Sequence, residues 1–228
     1  YVEETIDELD LQPLPDEVIG VGGLRILEAG NELGYEFEKM RKFIDPGKCR
    51  SRCGGTCMLG CPVGAKWTAR EYVKDMIEAG GEFVTRADVQ HVKVEDGRAK
   101  GMLAKTRGGL LEVDAETVIV SAGGIGTPSI LQRSGLHEAG RGMFVDPLVF
   151  VTGVSRDRGT CQGPPMGVGS YALDEDGILL SDLLDPWGMW LITTALKNPS
   201  KLAQFISYKR LLGLMVKIGD ERRGYITM

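Results

Sequence analysis

"VIVSAGGIGTPSILQRSGL", residues 118–136, places an apolar triplet, a glycine-rich turn and a helix in direct succession. The triplet Val118–Val120 predicts a short strand buried on both faces of an α/β sheet, because no polar residue interrupts it. Glycines 123, 124 and 126 allow a sharp turn, Thr127 is placed to cap, Pro128 suits a first helical position, and Ile130 and Leu131 begin the packed side. Such a turn presents open backbone N–H groups at a helix start and lets a ligand come close. The order G-G-I-G-T-P departs from the full dinucleotide fingerprint G-x-G-x-x-G, and no acidic residue follows on a second strand about 20 residues later.

Upstream of this stretch, the apolar pattern alternates. "EFVTRADVQHVKVE" and "RAKGMLAKT" flank Asp96-Gly97, a strong two-residue hairpin signal, and "RGG" turns the chain again into "LLEVDAETVIV". A small antiparallel meander is expected. Before it, "TAREYVKDMIEAGG" predicts a helix over about 69–79, with Thr68 as cap, Glu71 at the reciprocal position, Tyr72, Met76 and Ala79 on the packing side, and Gly80 as exit. "LRILEAGNELGYEFEKM" predicts a short helix ending near Gly34, after a Pro- and Gly-containing lead-in, "LQPLPDEVIGVGG". Beyond residue 143 the chain changes character. "MFVDPLVFVTGVSRD" predicts a strand, "GTCQGPPMGVGSYALDEDGILLS" hairpins, "PSKLAQFISYKRLLGLM" a helix, and "VKIGDERRGYITM" a strand and turn.

The chain's 228 residues allow one good core or two modest domains without metal or disulfide staples. Its 32 glycines are roughly twice the usual share, and with 43% apolar residues they point to tight turns rather than disorder. A net charge of -5 argues against a broad nucleic-acid surface. "WGMWLITTAL" and "LLGLMVKI" are too short to span a bilayer. The first residue is Tyr1, which reads as a chain processed or cut from something longer, and cysteines without an export signal suggest a reducing compartment, the cytoplasm.

Together, "LGYEF", "GCPVGAKWTAREYVKDMIEAGGEF", "VQHVKVEDGRAKGM", "VIVSAGGIGTPSILQRSGL" and "MVKIGDERRGYI" resemble the glucose-methanol-choline family of flavoprotein oxidoreductases over most of residues 20–228. The resemblance implies an α/β (α+β) chain. Residues 1–142 would form the central part of an FAD-binding domain, with the meander and the Gly-rich strand-to-helix turn, and residues 143–228 part of a mixed-sheet substrate domain. It implies FAD as cofactor and oxidation of the CH–OH group of an alcohol or polyol. Residue by residue, Val89 matches the position whose backbone meets the adenine side of FAD. Ala122, Gly123 and Gly124 match the segment beside the adenosine and its phosphates, and Thr127, Pro128 and Ile130 match the turn that holds it. The family's N-terminal glycine fingerprint and C-terminal catalytic His segment have no counterpart within these residues, so no catalytic residue is assigned, and His91 and His137 are read as structural. The expected partners are an alcohol substrate, those N- and C-terminal segments and an electron-acceptor protein.

"CRSRCGGTCMLGCP" spaces Cys49, Cys53, Cys57 and Cys61 evenly by four. Four thiolates suit zinc or a [4Fe-4S] cluster, and Cys61-Pro62 matches the end of a ferredoxin loop, although the spacing matches neither that loop nor a paired zinc knuckle. Buried free thiols and disulfides stand as the other two readings. Cys161 is read as a core residue. A metal-binding electron-transfer or structural fragment without its own catalysis is the alternative function.

Overall fold

The computed structural model describes residues 1–49, 53, 55–157, 163–183, 186–192, 198, 200, 207–220 and 224–227. Among them the strands are β1 (Glu38–Lys39), β2 (Asp88–Glu95), β3 (Arg98–Thr106), β4 (Gly109–Asp114), β5 (Arg141–Met143), β6 (Leu148–Val154), β7 (Val168–Ser170), β8 (Ile178–Asp182), β9 (Leu211–Ile218) and β10 (Gly224–Tyr225). The α-helices are α1 (Val2–Glu8), α2 (Asp16–Glu32), α3 (Arg70–Glu78), α4 (Gly123–Arg133) and α5 (Trp187–Trp190). Two compact units form, Tyr1–Glu71 with Asp146–Gly219 and Tyr72–Val145 with Asp220–Met228. This spatial division does not follow one cut in chain order, because the first 71 residues pack with Asp146–Gly219.

The first unit is a sheet in the order β1-β7-β8-β9-β6, covered by α2. All its pairings are antiparallel among the described residues, so the mixed sheet expected here is corrected to an antiparallel one. Leu14, Val18, Ile19 and Phe37 meet Val168 and Leu180 in the core, with Leu24, Leu27, Leu214 and Val216 around them. α2 starts earlier than the sequence suggests. Asp16 and Glu17 favour its open N–H end, and the chain kinks at Gly20 (φ 78°) before continuing. The Pro and Gly lead-in is therefore partly helical.

The helix expected over 199–215 is also corrected. Its residues 199 and 201–206 lie outside the described residues, whereas Leu211–Ile218 is strand β9, held between β8 and β6. A leucine-rich run suits either period, and here two-sided pairing decides. Burial alternates along it, with Leu211, Gly213 and Met215 on one face. A Cβ on Gly213 would fall 1.9 Å from the Leu183 carbonyl oxygen, so only glycine admits that crossing.

In the second unit β2, β3 and β4 form the expected antiparallel meander. Asp96 (φ 50°) and Gly97 (φ 75°) both take left-handed backbone at the first turn, as a tight hairpin requires. α3 matches its expected range and exits through left-handed Gly80, yet it buries no residue, and Tyr72 and Met76 are exposed. The strand expected at Val118–Val120 is absent. No described strand pairs with it, it lies outside any ladder, and Ile119 is 86% exposed. An apolar triplet becomes a strand only where a neighbour supplies hydrogen bonds.

Two features set the stability of the first unit. A Cβ on Gly30 would lie 2.2 Å from the Phe37 ring, so Gly30→Ala is expected to displace that core side chain and cost about 1–3 kcal/mol in denaturant unfolding. Asp182 accepts the Val168 N–H at 2.8 Å, and burial pushes its carboxyl up to about 6, opposed by these backbone donors and by Lys42. Burial in turn pushes the Lys42 ammonium down, against the pull of Asp182. Because the folded pKa of Asp182 stands above the ordinary 3.8, the native state holds the extra proton between about pH 4 and 6. Stability from this group is full below that window and falls as pH rises through it, by about 1–2 kcal/mol after allowance for solvent screening. Asp182→Asn, which keeps an acceptor for Val168, is expected to remove that decline from a plot of Tm against pH.

Candidate functional site

Helix α4 packs on β2, and its C-terminal turn clasps the strand. Arg133 donates from Nη2 to the Val89 carbonyl at 3.2 Å and from Nε to the Gln90 carbonyl, at a register shift between Val89 and His91. Ser134 Oγ accepts the N–H of buried Val92 at 2.8 Å and donates to the Ile130 carbonyl at 2.7 Å. Ile130 is the buried residue of α4. Val89 and the glycine turn thus belong to one clasped pair of elements. Arg133 and Ser134 were missed from the sequence. Their signal is local, a polar pair three and four residues beyond Ile130, but only the packed strand shows what they hold.

At the other end of α4 the turn differs from the expected one. The helix begins at Gly123, which takes φ 77°, so Pro128 lies inside the helix rather than at its first position. Thr127 does not cap forward. Its Oγ1 accepts the Ala122 N–H at 3.0 Å, locking the turn backward onto the helix. Ala122, Gly123 and Gly124 are exposed, and a Cβ on either glycine would meet nothing within 4 Å. The positive end of the α4 dipole thus lies at an exposed turn with room beside both glycines. His91 pairs within the meander opposite Leu103, and His137 follows the helix.

The cysteines sit in the first unit. Residues 43–45 and 65–67 close the base of their loop: Asp45 N–H donates to the Ala65 carbonyl at 2.8 Å, Trp67 N–H to the Phe43 carbonyl at 2.9 Å, and the two rings stack at 5.5 Å. Cys57 lies in a 3₁₀ turn, Thr56–Met58, entered through left-handed Gly55. Cys61 Sγ accepts the Ala65 N–H at 3.2 Å. Burial pushes the Cys61 thiol up, but the backbone N–H groups of Lys66, Val63, Ala65 and Gly64 outweigh it and hold the thiol below its ordinary range. For Cys57, burial and then the neighbouring Cys53, Cys49 and Cys61 push the thiol up. None of the four is joined in a disulfide here. Among the described residues no three His, Cys, Asp or Glu side chains are gathered into a ready metal site, so the four-thiolate cage is not preformed. Cys161 lies outside the described residues.

Comparison with known proteins places these features. A family model described as GMC oxidoreductase matches residues 20–156. An uncharacterized GMC-type oxidoreductase of Mycobacterium tuberculosis (strain ATCC 25618 / H37Rv) is 30% identical over 198 residues, 82% of this chain and 30% of that protein. An uncharacterized protein of Methanocaldococcus jannaschii is 28% identical over 236 residues, 98% of this chain and 53% of that protein. An oxygen-dependent choline dehydrogenase of Staphylococcus aureus (strain MSSA476) is 36% identical over 75 residues, 32% of this chain and 13% of that protein. The chain spans about a third of the length of the mycobacterial relatives and about half of the archaeal one. With the family model covering more than half of its residues, the chain belongs to the GMC oxidoreductase family.

Proposed function

We propose that this chain is part of an FAD-dependent oxidoreductase that oxidises the CH–OH group of an alcohol or polyol. The observation that carries the reading is the open turn at Gly123 and Gly124, at the start of α4, in a chain of this family. Similarity over 75 residues to a choline dehydrogenase supports an alcohol as substrate class. In this reading residues 1–142 contribute to the FAD-binding domain and residues 143–228 to the substrate domain.

Bound FAD supplies the hydride acceptor for the alcohol carbon. This chain's residues bind and orient. The N-terminal end of α4 would hold anionic oxygens of the cofactor, and the missing Cβ atoms of Gly123 and Gly124 would leave room for its approach. Thr127 holds Ala122 in the turn, Pro128 and Ile130 set the helix behind it, and Arg133 fixes the Val89 carbonyl so that the strand edge keeps its course. No residue of this chain is assigned as the base that takes the hydroxyl proton.

Replacing Gly124 with Val in the whole natural polypeptide tests this placement. Gly124 is helical and has open space around its Cβ position, so far-UV circular dichroism should stay unchanged. The flavin-to-protein ratio at limiting FAD is expected to fall about tenfold or more, because the branched side chain blocks close approach. Flavin retained at the unsubstituted ratio overturns the assignment of this turn.

A further inference from the structure

We propose that strand β6 is an interaction edge for a second copy of this chain, the two β6 strands pairing antiparallel about a two-fold axis at Val151. Nothing in the proposed alcohol oxidation uses this edge, so the inference stands apart from that reading.

The sheet of the first unit ends differently on its two sides. On one side β1 is two residues long, and the chain beside it is tied back by a bridge between Pro13 and Arg41. A short strand backed by another segment is a common way of closing an edge. On the other side β6 runs for seven residues, Leu148–Val154, with no charge and no proline. β9 pairs with it along its whole length, and no described strand pairs with its outer edge. Leu148, Val149, Val151 and Val154 are each about half exposed, so both faces of the strand are open as well. A bare apolar edge of this kind is a template for another strand.

The ladder with β9 fixes which backbone groups the edge offers. Ser155 N–H donates to the Arg210 carbonyl at 2.7 Å, and Ile218 N–H donates to the Pro147 carbonyl at 3.0 Å, so residues 147 and 155 turn toward β9. The register between them is unbroken. Antiparallel pairing alternates along the strand, so Leu148, Phe150, Thr152 and Val154 turn their N–H and C=O groups outward. Pairing about Val151 sets outward groups against outward groups: Leu148 faces Val154 of the second copy, and Phe150 faces its Thr152. All seven residues are then matched. The two Val151 side chains meet at the axis, in a pair without mutual hydrogen bonds where β-branched side chains come closest.

Charge complementarity selects both this register and this occupant. The same axis sets Asp146 opposite Arg156 of the second copy, at each end of the paired segment. Both side chains are exposed. Asp146 holds Lys217 at 2.9 Å through Oδ2, and a carboxylate can take a second cation on its other oxygen. Moving the axis to Phe150 or Thr152 also pairs outward groups, but it sets Asp146 opposite Val154 or Arg156 opposite Leu148. An edge that matches itself in backbone phase, in length and in end charges specifies a second copy of itself, as an isologous interface requires.

One strand pair is a small interface, so the association is read by sedimentation equilibrium of the whole natural polypeptide from about 1 to 200 μM. A reversible monomer–dimer equilibrium is expected. Val151→Lys sets two like charges against each other at the axis and should raise the dimer dissociation constant about tenfold or more. Because Val151 is 53% exposed, the unfolding midpoint of that variant should hold. Arg156→Glu should weaken the dimer, and Arg156→Lys should keep it. Amide hydrogen exchange on the unsubstituted protein gives a reading that needs no variant to fold. The amides of Leu148, Phe150, Thr152 and Val154 should exchange about tenfold or more slowly at the top of the concentration range than at the bottom, while those of Val149, Val151 and Gly153 stay protected throughout. Outward amides protected at every concentration would show that another segment of the same polypeptide covers the edge. Outward amides unprotected at every concentration would show that no copy binds there, and a dimer indifferent to Val151→Lys would be held elsewhere. Each of these three results overturns the proposal.

Discussion

Close approach of backbone to backbone where α2 meets the sheet is the constraint on which the first unit depends. A Cβ on Gly163 would lie 1.8 Å from the Ile19 carbonyl oxygen, so the chain entering β7 passes directly against the kinked start of α2. That approach lets Val18 and Ile19 reach Val168 and Leu180, each of the four at most 8% exposed. The same closeness buries Ser170 and Ser181, whose hydroxyls donate to the Tyr35 and Val168 carbonyls. Among the described residues no buried side-chain polar atom lacks a partner. Burial and hydrogen bonding are solved together here, as a dry interior requires.

The second unit rests on fewer buried groups. Among the described residues Val92, Ala104 and Ile130 are its buried apolar side chains. What positions α4 against β2 is therefore largely polar, the Arg133 and Ser134 clasp. Directed hydrogen bonds fix register more sharply than a few apolar contacts do, and register matters because the glycine turn begins ten residues before Arg133 on the same helix. The exposed side chains of Ile119, Ile125, Phe83 and Val84 belong to this unit, which shows how little of its apolar surface its own elements cover.

The cysteine loop is closed at its base, and three of its cysteines are separately braced. A turn onto the Asp45 carbonyl holds Cys49, a 3₁₀ turn holds Cys57, and a nest of N–H groups holds Cys61. Each brace is local backbone geometry. Lys66, beside Ala65 at the base of the loop, donates to the Cys57 carbonyl and ties the 3₁₀ turn to that closure.

What the sequence determined by itself is what short-range geometry dictates. The Asp96-Gly97 turn needs two left-handed residues, α3 ends at its glycine exit, and the cysteine spacing is plain in the chain. The motif stretches also sufficed for the family, because they are contiguous. Long-range pairing decided the rest. The run Leu211–Ile218 is a strand because β8 and β6 supply hydrogen bonds on both edges, and Val118–Val120 is not one because no described neighbour does. Thr127 turned backward to Ala122 because the helix began at Gly123, a boundary that left-handed glycine allows but composition does not fix. Arg133 acquired its role only when β2 arrived beneath it. Periodicity records which side chains share a face; which backbone groups find partners is a property of the assembled chain, and those partners chose between helix, strand and neither.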